Sequence, residues 1–149
     1  MTEQFNFLLA DDDTDDGFFF TKALKTILSS AELNIVEDGD KLMKYLDTHL
    51  ENLPDALFLD INMPRKNGAE CLFEIKTNER LKNLPVIVYS TSMHESMADK
   101  LYKSGAHYYF QKTNLTELET NLQNLVGLMK NKTFMRPMRK DFVLKTTGA

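Results

Sequence analysis

Four short apolar runs, each closed by a residue that can hold a phosphoryl group or a cation, constrain this chain more than anything else in it. Phe7-Leu8-Leu9-Ala10 leads into Asp11 and Asp12, Ala56-Leu57-Phe58-Leu59 into Asp60, Val86-Ile87-Val88-Tyr89 into Ser90, and Tyr108-Tyr109-Phe110-Gln111 into Lys112. Unbroken apolar runs of this length read as strands covered on both faces, the habit of parallel sheets. As parallel neighbours in one sheet, their four polar ends meet at its carboxyl edge, where open α/β sheets bind ligands.

The segments between the runs carry helical periodicity. Strands are expected near 5–10, 33–37, 56–60, 86–90 and 107–111, and helices near 15–29, 39–49, 68–78, 94–104 and 115–129. The last helix is the clearest, with Leu115, Leu118, Leu122, Leu125, Val126 and Met129 at spacings of three, four and seven. Gly105 stands where a C′ glycine ends the fourth helix. Alternating strands and amphipathic helices specify βαβ units and a parallel sheet, an α/β fold.

Charge divides the chain near residue 130. Six Lys or Arg against Asp141 give residues 130–149 a charge of +5, which leaves −9 of the total −4 for residues 1–129. An acidic body argues against nucleic acid as a direct partner, because that affinity rests on neutralising phosphates, and it suits a cation site. No apolar stretch approaches the roughly 20 residues needed to cross a bilayer, and residues 1–6 lack a signal-peptide layout. With Cys71 the only cysteine, no internal disulfide forms, and a cytoplasmic protein without membrane contact is expected. Cys71, Leu72 and Ile75 share one helical face, which makes the thiol a small core residue.

Asp11, Asp12 and Asp13 at a strand end repel one another and call for a compensating cation. Oxygen ligands of this kind suit Mg²⁺, or Mn²⁺ in its place, held by one or two carboxylates beside a phosphate. Thr14, Asp15 and Asp16 fit a different need, the acid-rich start of a helix. An EF-hand beginning at Asp11 fails, because its sixth and twelfth positions hold Asp16 and Lys22 rather than glycine and glutamate.

Taken together, the acidic pair, Asp60-Ile61-Asn62-Met63-Pro64 with Asn67-Gly68, Ser90-Thr91, and Lys112 after Gly105-Ala106 resemble the receiver domain of two-component response regulators over residues 5–129. The likeness is greatest to small single-domain regulators, including phytochrome-associated ones, whose lead into strand four is similar to Leu81-Lys82-Asn83-Leu84-Pro85. It implies a doubly wound, flavodoxin-like sheet of five parallel strands in the order 2-1-3-4-5, with five helices on both faces. It also implies that Asp60 takes a phosphoryl group from a histidine kinase or histidine phosphotransfer protein and passes the signal to a downstream protein by changing shape. On this resemblance Asp12, Asp60 and the main-chain carbonyl of Asn62 ligate Mg²⁺, Asp11 acts through a water, Lys112 and Ser90 contact the phosphoryl oxygens, and Tyr109 follows Ser90 as a switch. Such a protein is a phosphoacceptor with slow self-dephosphorylation rather than an enzyme. The alternatives are a receiver-fold interaction module that works without phosphate, and a haloacid-dehalogenase-like phosphatase built on Asp11, Asp13, Ser90 and Lys112. The second leaves Asp60 idle and lacks a further acidic pair at a strand end.

Three places depart from or extend the family pattern. Thr113 follows Lys112 where a proline after a cis bond is usual, so this bond is either trans or a strained cis form. Phe18 falls opposite the expected core stripe Phe20, Ala23, Leu24, Ile27 and Leu28, beside Lys22 and Lys25, which makes it a docking candidate for a histidine-bearing helix. Residues 1–129 are expected to form the receiver and 130–149 a basic, apolar extension without an output domain. That extension is expected to fray, to cover the acidic body, to exchange with a second copy, or to meet a partner.

Overall fold

The computed structural model describes residues 4–92, 94–130 and 134–145. Five strands, β1 (Asn6–Ala10), β2 (Glu32–Val36), β3 (Ala56–Leu59), β4 (Val86–Ser90) and β5 (Tyr108–Gln111), alternate with α1 (Thr14–Ile27), α2 (Gly39–Thr48), α3 (Gly68–Thr77), α4 (Glu95–Lys103) and α5 (Leu115–Lys130). All pair in parallel in the order β2-β1-β3-β4-β5. Every expected element is present, and each boundary lies within two residues of its expectation.

Strand alternation builds two cores. Leu8, Ala10, Leu57, Leu59, Val86 and Val88 face α2, α3 and α4, while Phe7, Leu9, Ala56, Phe58, Ile87 and Phe110 face α1 and α5. A strand whose successive side chains point to opposite faces needs both faces apolar when both are covered. That is why the first three runs carry no polar residue until they end, whereas β5 already closes on the exposed Gln111. Helix α1 buries Phe20, Ala23 and Leu24, but Ile27 and Leu28 are only half-buried because the helix is ending there.

Local chemistry sets the helix ends nearest the sheet edge. Asp13 caps α1 by accepting from the amides of Asp15 and Asp16, and Asn67 and Glu70 form a reciprocal capping box at the start of α3. After α4, Gly105 takes a positive φ of 103°. Its amide donates to Tyr102 and that of Ala106 to Leu101, the paired bonds of a Schellman motif. Cys71 is buried, as its helical face predicts, and burial pushes its thiol up to about 11. The described peptide bonds are all trans, including Lys112–Thr113. Among the described residues no helix is long and apolar enough to cross a membrane.

Residues 134–145 lie against α4 and the outer edge of β5. The amide of Tyr109 donates to Phe142 at 3.0 Å and that of Leu144 to Tyr109 at 2.8 Å, forming a parallel bridge. Phe142 is fully buried between Tyr102 and Tyr109, a burial that stabilises by about 1.5–3 kcal/mol relative to exposure.

Candidate functional site

Main-chain bonds continue one residue past the strands and fix the backbone of the polar ends. Asp11 donates to Val36 at 3.0 Å, Asp60 to Ala10 at 3.0 Å and Lys112 to Ser90 at 2.7 Å. The sheet therefore delivers Asp11, Asp60, Ser90 and Lys112 to one edge as rigidly as it holds its strands.

Lys112 organises that edge. Its ammonium lies 2.8 Å from Asp11, 2.8 Å from Asp16 and 3.2 Å from Asp60, and 5.1 Å from the centre of the Tyr89 ring. Asp11 and Asp60 are buried and Asp12 is exposed beside them. One carboxylate oxygen from each of Asp11, Asp12 and Asp60 lies within 4.8 Å of the other two. Asp60 also accepts from the amide of Asn62 at 3.2 Å, and Asp11 from that of Asp13 at 3.0 Å.

Burial and mutual repulsion oppose the charges of these acids. Asp60 is raised to about 6, chiefly by burial, with the charge of Asp11 adding to it and Lys112 working against it. Asp11 is raised for the same leading reason, although Lys112 and the Asp13 amide offset part of it. For Lys112 burial acts downward, but its hydrogen bonds to Asp11 and Asp16 prevail and hold it firmly charged. One ammonium thus faces more carboxylate than it can neutralise, which leaves the edge short of positive charge.

Two depressions flank the cluster. Asp12, Thr14, Gly17, Phe18, Ile35 and Glu37 line a groove of about 430 Å³ between α1 and β2. Phe18, 65% exposed, forms part of its wall and packs edge-on against Phe19. On the other side, Asn62, Ser90, Ser92, Met97 and Tyr109 line a crevice of about 140 Å³. There the Ser90 hydroxyl accepts from the Ser92 amide at 3.4 Å, and the Tyr109 hydroxyl donates to the Ser92 carbonyl.

Of the residues singled out in the sequence, Asp11, Asp12, Asp60 and Lys112 converge directly. Asn62 reaches Asp60 through its main chain, Ser90 and Tyr109 share the crevice, and Phe18 stands apart on the groove wall. Sequence reasoning assigned Asp16 only to the helix start and gave Tyr89 no part. The signal for Asp16 was its place in the first turn of a helix that begins three residues past Asp11. Asp13 is spent as a helix cap, which removes the Asp11-Asp13 pair that a dehalogenase-like phosphatase requires.

Residues 7–123 match the family model of the response regulator receiver domain. Among curated proteins the chain is 36% identical over 123 residues to response regulator Rcp1 of Synechocystis, covering 79% of this chain and 84% of Rcp1. The crystal structure of the Mn²⁺-bound form of Rcp1 superposes with a TM-score of 0.76 at 32% identity, over 90% of this chain and 99% of that one. That of the phosphorylated cyanobacterial phytochrome response regulator RcpA does so with a TM-score of 0.78 at 30% identity, over 91% and 100%.

Proposed function

The chain belongs to the response regulator receiver domain family, and from that premise we propose that Asp60 accepts a phosphoryl group from a phosphohistidine on a histidine kinase or phosphotransfer protein. One observation carries the reading: a buried carboxylate lies within hydrogen-bond reach of an ammonium, inside an acidic cluster, at the carboxyl edge of a doubly wound sheet. In the transfer, an oxygen of Asp60 forms the new P–O bond while the P–N bond to imidazole breaks and its electron pair stays on the ring nitrogen.

The donor set fits a hard divalent ion. Its ligands are all carboxylate oxygens, mutually close, and they carry an excess of negative charge that burial makes costly. Asp12, Asp60 and the Asn62 carbonyl would hold Mg²⁺ or Mn²⁺ directly and Asp11 through water, and the Mn²⁺ in the Rcp1 structure supports a divalent ion here. When bound, the ion neutralises charge on the transferring oxygens. Lys112 gives up its contact with Asp60 to pair with those oxygens, and the Ser90 hydroxyl donates to the same group. Asp16 keeps the ammonium in place while it changes partners.

Tyr109 reports the new position of Ser90 to the α4–β5 surface, where a downstream protein reads it. Phe18 and its groove receive the donor's helix. Residues 1–129 constitute the receiver and 130–149 its extension, acting in the cytoplasm as a phosphoacceptor rather than as an enzyme. Intact-protein mass spectrometry after acetyl phosphate and Mg²⁺ tests the reading. A phosphoryl adduct on wild type that disappears in Asp60→Asn is expected. Absence of any adduct on wild type, with no beryllofluoride binding, would replace it with a phosphate-independent interaction module.

A further inference from the structure

We propose that the α4–β5 face is a segment-binding site filled in cis by Arg136–Leu144, and that its occupancy and the phosphoryl group on Asp60 favour one another through Tyr109. The proposal rests on Asp60 being the acceptor.

The segment is recognised at several points rather than laid on a bare apolar face. Arg136 donates to the carbonyls of Ala106 (3.0 Å), just past α4, and Tyr102, which also accepts from the Gly105 amide, and its guanidinium lies 4.2 Å from the centre of the Tyr102 ring. The Tyr102 hydroxyl donates to the Pro137 carbonyl at 2.8 Å. Arg139 reaches Asp99 at 2.8 Å and Glu95 at 2.9 Å on α4. Phe142 fills the space between Tyr102 and Tyr109, and its own carbonyl and the amide of Leu144 satisfy the outward-facing amide and carbonyl of Tyr109. The segment makes a 3-10 turn over Arg139–Asp141 and then a single parallel bridge at Val143, so it borrows the main-chain pairing by which sheet edges bind peptide segments and adds side-chain anchors to it.

The coupling follows from what Tyr109 touches. With the segment docked, the Tyr109 ring is 1% exposed and its hydroxyl is held by Ser92, whose amide in turn holds the Ser90 hydroxyl. Turning the tyrosine outward requires it to leave that carbonyl and to displace Phe142. Docking therefore favours the inward tyrosine, which in the switch role proposed above accompanies a serine drawn toward phosphate. By linkage, a phosphoryl group on Asp60 must tighten the segment by the factor by which the segment tightens phosphoryl binding. A downstream protein that reads this face has to compete with a segment already seated there.

Amide hydrogen exchange on the full chain tests this, because the Leu144 amide is protected only by Tyr109 when the segment is docked. Beryllofluoride with Mg²⁺ serves as the phosphoryl mimic. Its binding is expected to slow Leu144 exchange about tenfold, within the usual range of coupling between sites, and Phe142→Ala is expected to weaken beryllofluoride binding by the same factor. Arg139→Gln, which leaves Phe142 in place, should weaken it in the same direction by less. Beryllofluoride that binds and shifts Asn62 and Ser90 while leaving Leu144 exchange unchanged overturns the coupling. Protection of Leu144 that rises with protein concentration overturns cis occupancy, and failure of beryllofluoride to bind at all overturns the acceptor assignment along with the proposal.

Discussion

Acidifying the solution from about pH 7.5 to pH 5 is expected to cost the fold about 2 kcal/mol through His107 alone. The imidazole is buried, its Nδ1 has no hydrogen-bond partner, and it stacks on Phe134 with its ring centre 5.4 Å away. Burial is the main reason its pKa falls from 6.5 to about 4, and the positive charges of Lys76 on α3 and Arg136 on the C-terminal segment add to the effect. As pH drops through 6.5 the unfolded chain takes up a proton that the folded chain refuses until about 4, so stability declines across that window. One and a half units of refused protonation at about 1.4 kcal/mol per unit gives the 2 kcal/mol. This is a sizeable part of the 5–15 kcal/mol that holds a domain together. Urea unfolding curves of wild type and His107→Phe at several pH values measure it, with the contributions of the acids cancelling in the difference. If the two proteins lose stability in parallel between pH 6.5 and 5, His107 is not held neutral and the reasoning fails.

Four further outcomes follow from the geometry. A methyl group on Gly68 would press on the Asp60 carbonyl and sit 2.8 Å from Ile61 Cα, whereas one on Gly127 would meet nothing within 4 Å. Thermal melts should therefore show Gly68→Ala losing about 1–3 kcal/mol, with slower acetyl phosphate labelling. Gly127→Ala should gain about 0.4–1 kcal/mol. Asn67→Ala breaks the capping box of α3 and should cost about 1 kcal/mol in urea unfolding. Phe18→Ala is expected to slow phosphotransfer from the cognate kinase while acetyl phosphate labelling continues at the wild-type rate; equal slowing of both would place Phe18 in the chemistry rather than in docking.

The architecture was legible because its signals are local and agree with one another. Runs buried on both faces cannot tolerate polar residues, so the strands and their chemically active ends stand out, and Gly105 marks a helix end that only a positive φ permits. Asp16 was not legible as a partner of Lys112, since its place in a first helical turn already accounts for an acid there. Nor did the pattern choose among the fates of the C-terminal segment. Phe134, Met135, Met138 and Phe142 fall at spacings of three and four, but Pro137 interrupts any helix there, and what Phe142 and Arg139 satisfy are particular neighbours on α4 and β5 rather than a repeating surface.

Lys112 stands 101 residues from Asp11 and 52 from Asp60, and that separation has a consequence for the newly made chain. During synthesis both acids emerge well before the strand that brings their counter-charge, and until β5 docks their mutual repulsion works against closing the edge of the sheet. Long-range pairings of this kind form late, since the chain must be closed into a large loop first. A nascent or truncated chain ending before β5 should thus be unable to assemble the acceptor site, so the protein becomes available for signalling only once its folding is essentially complete.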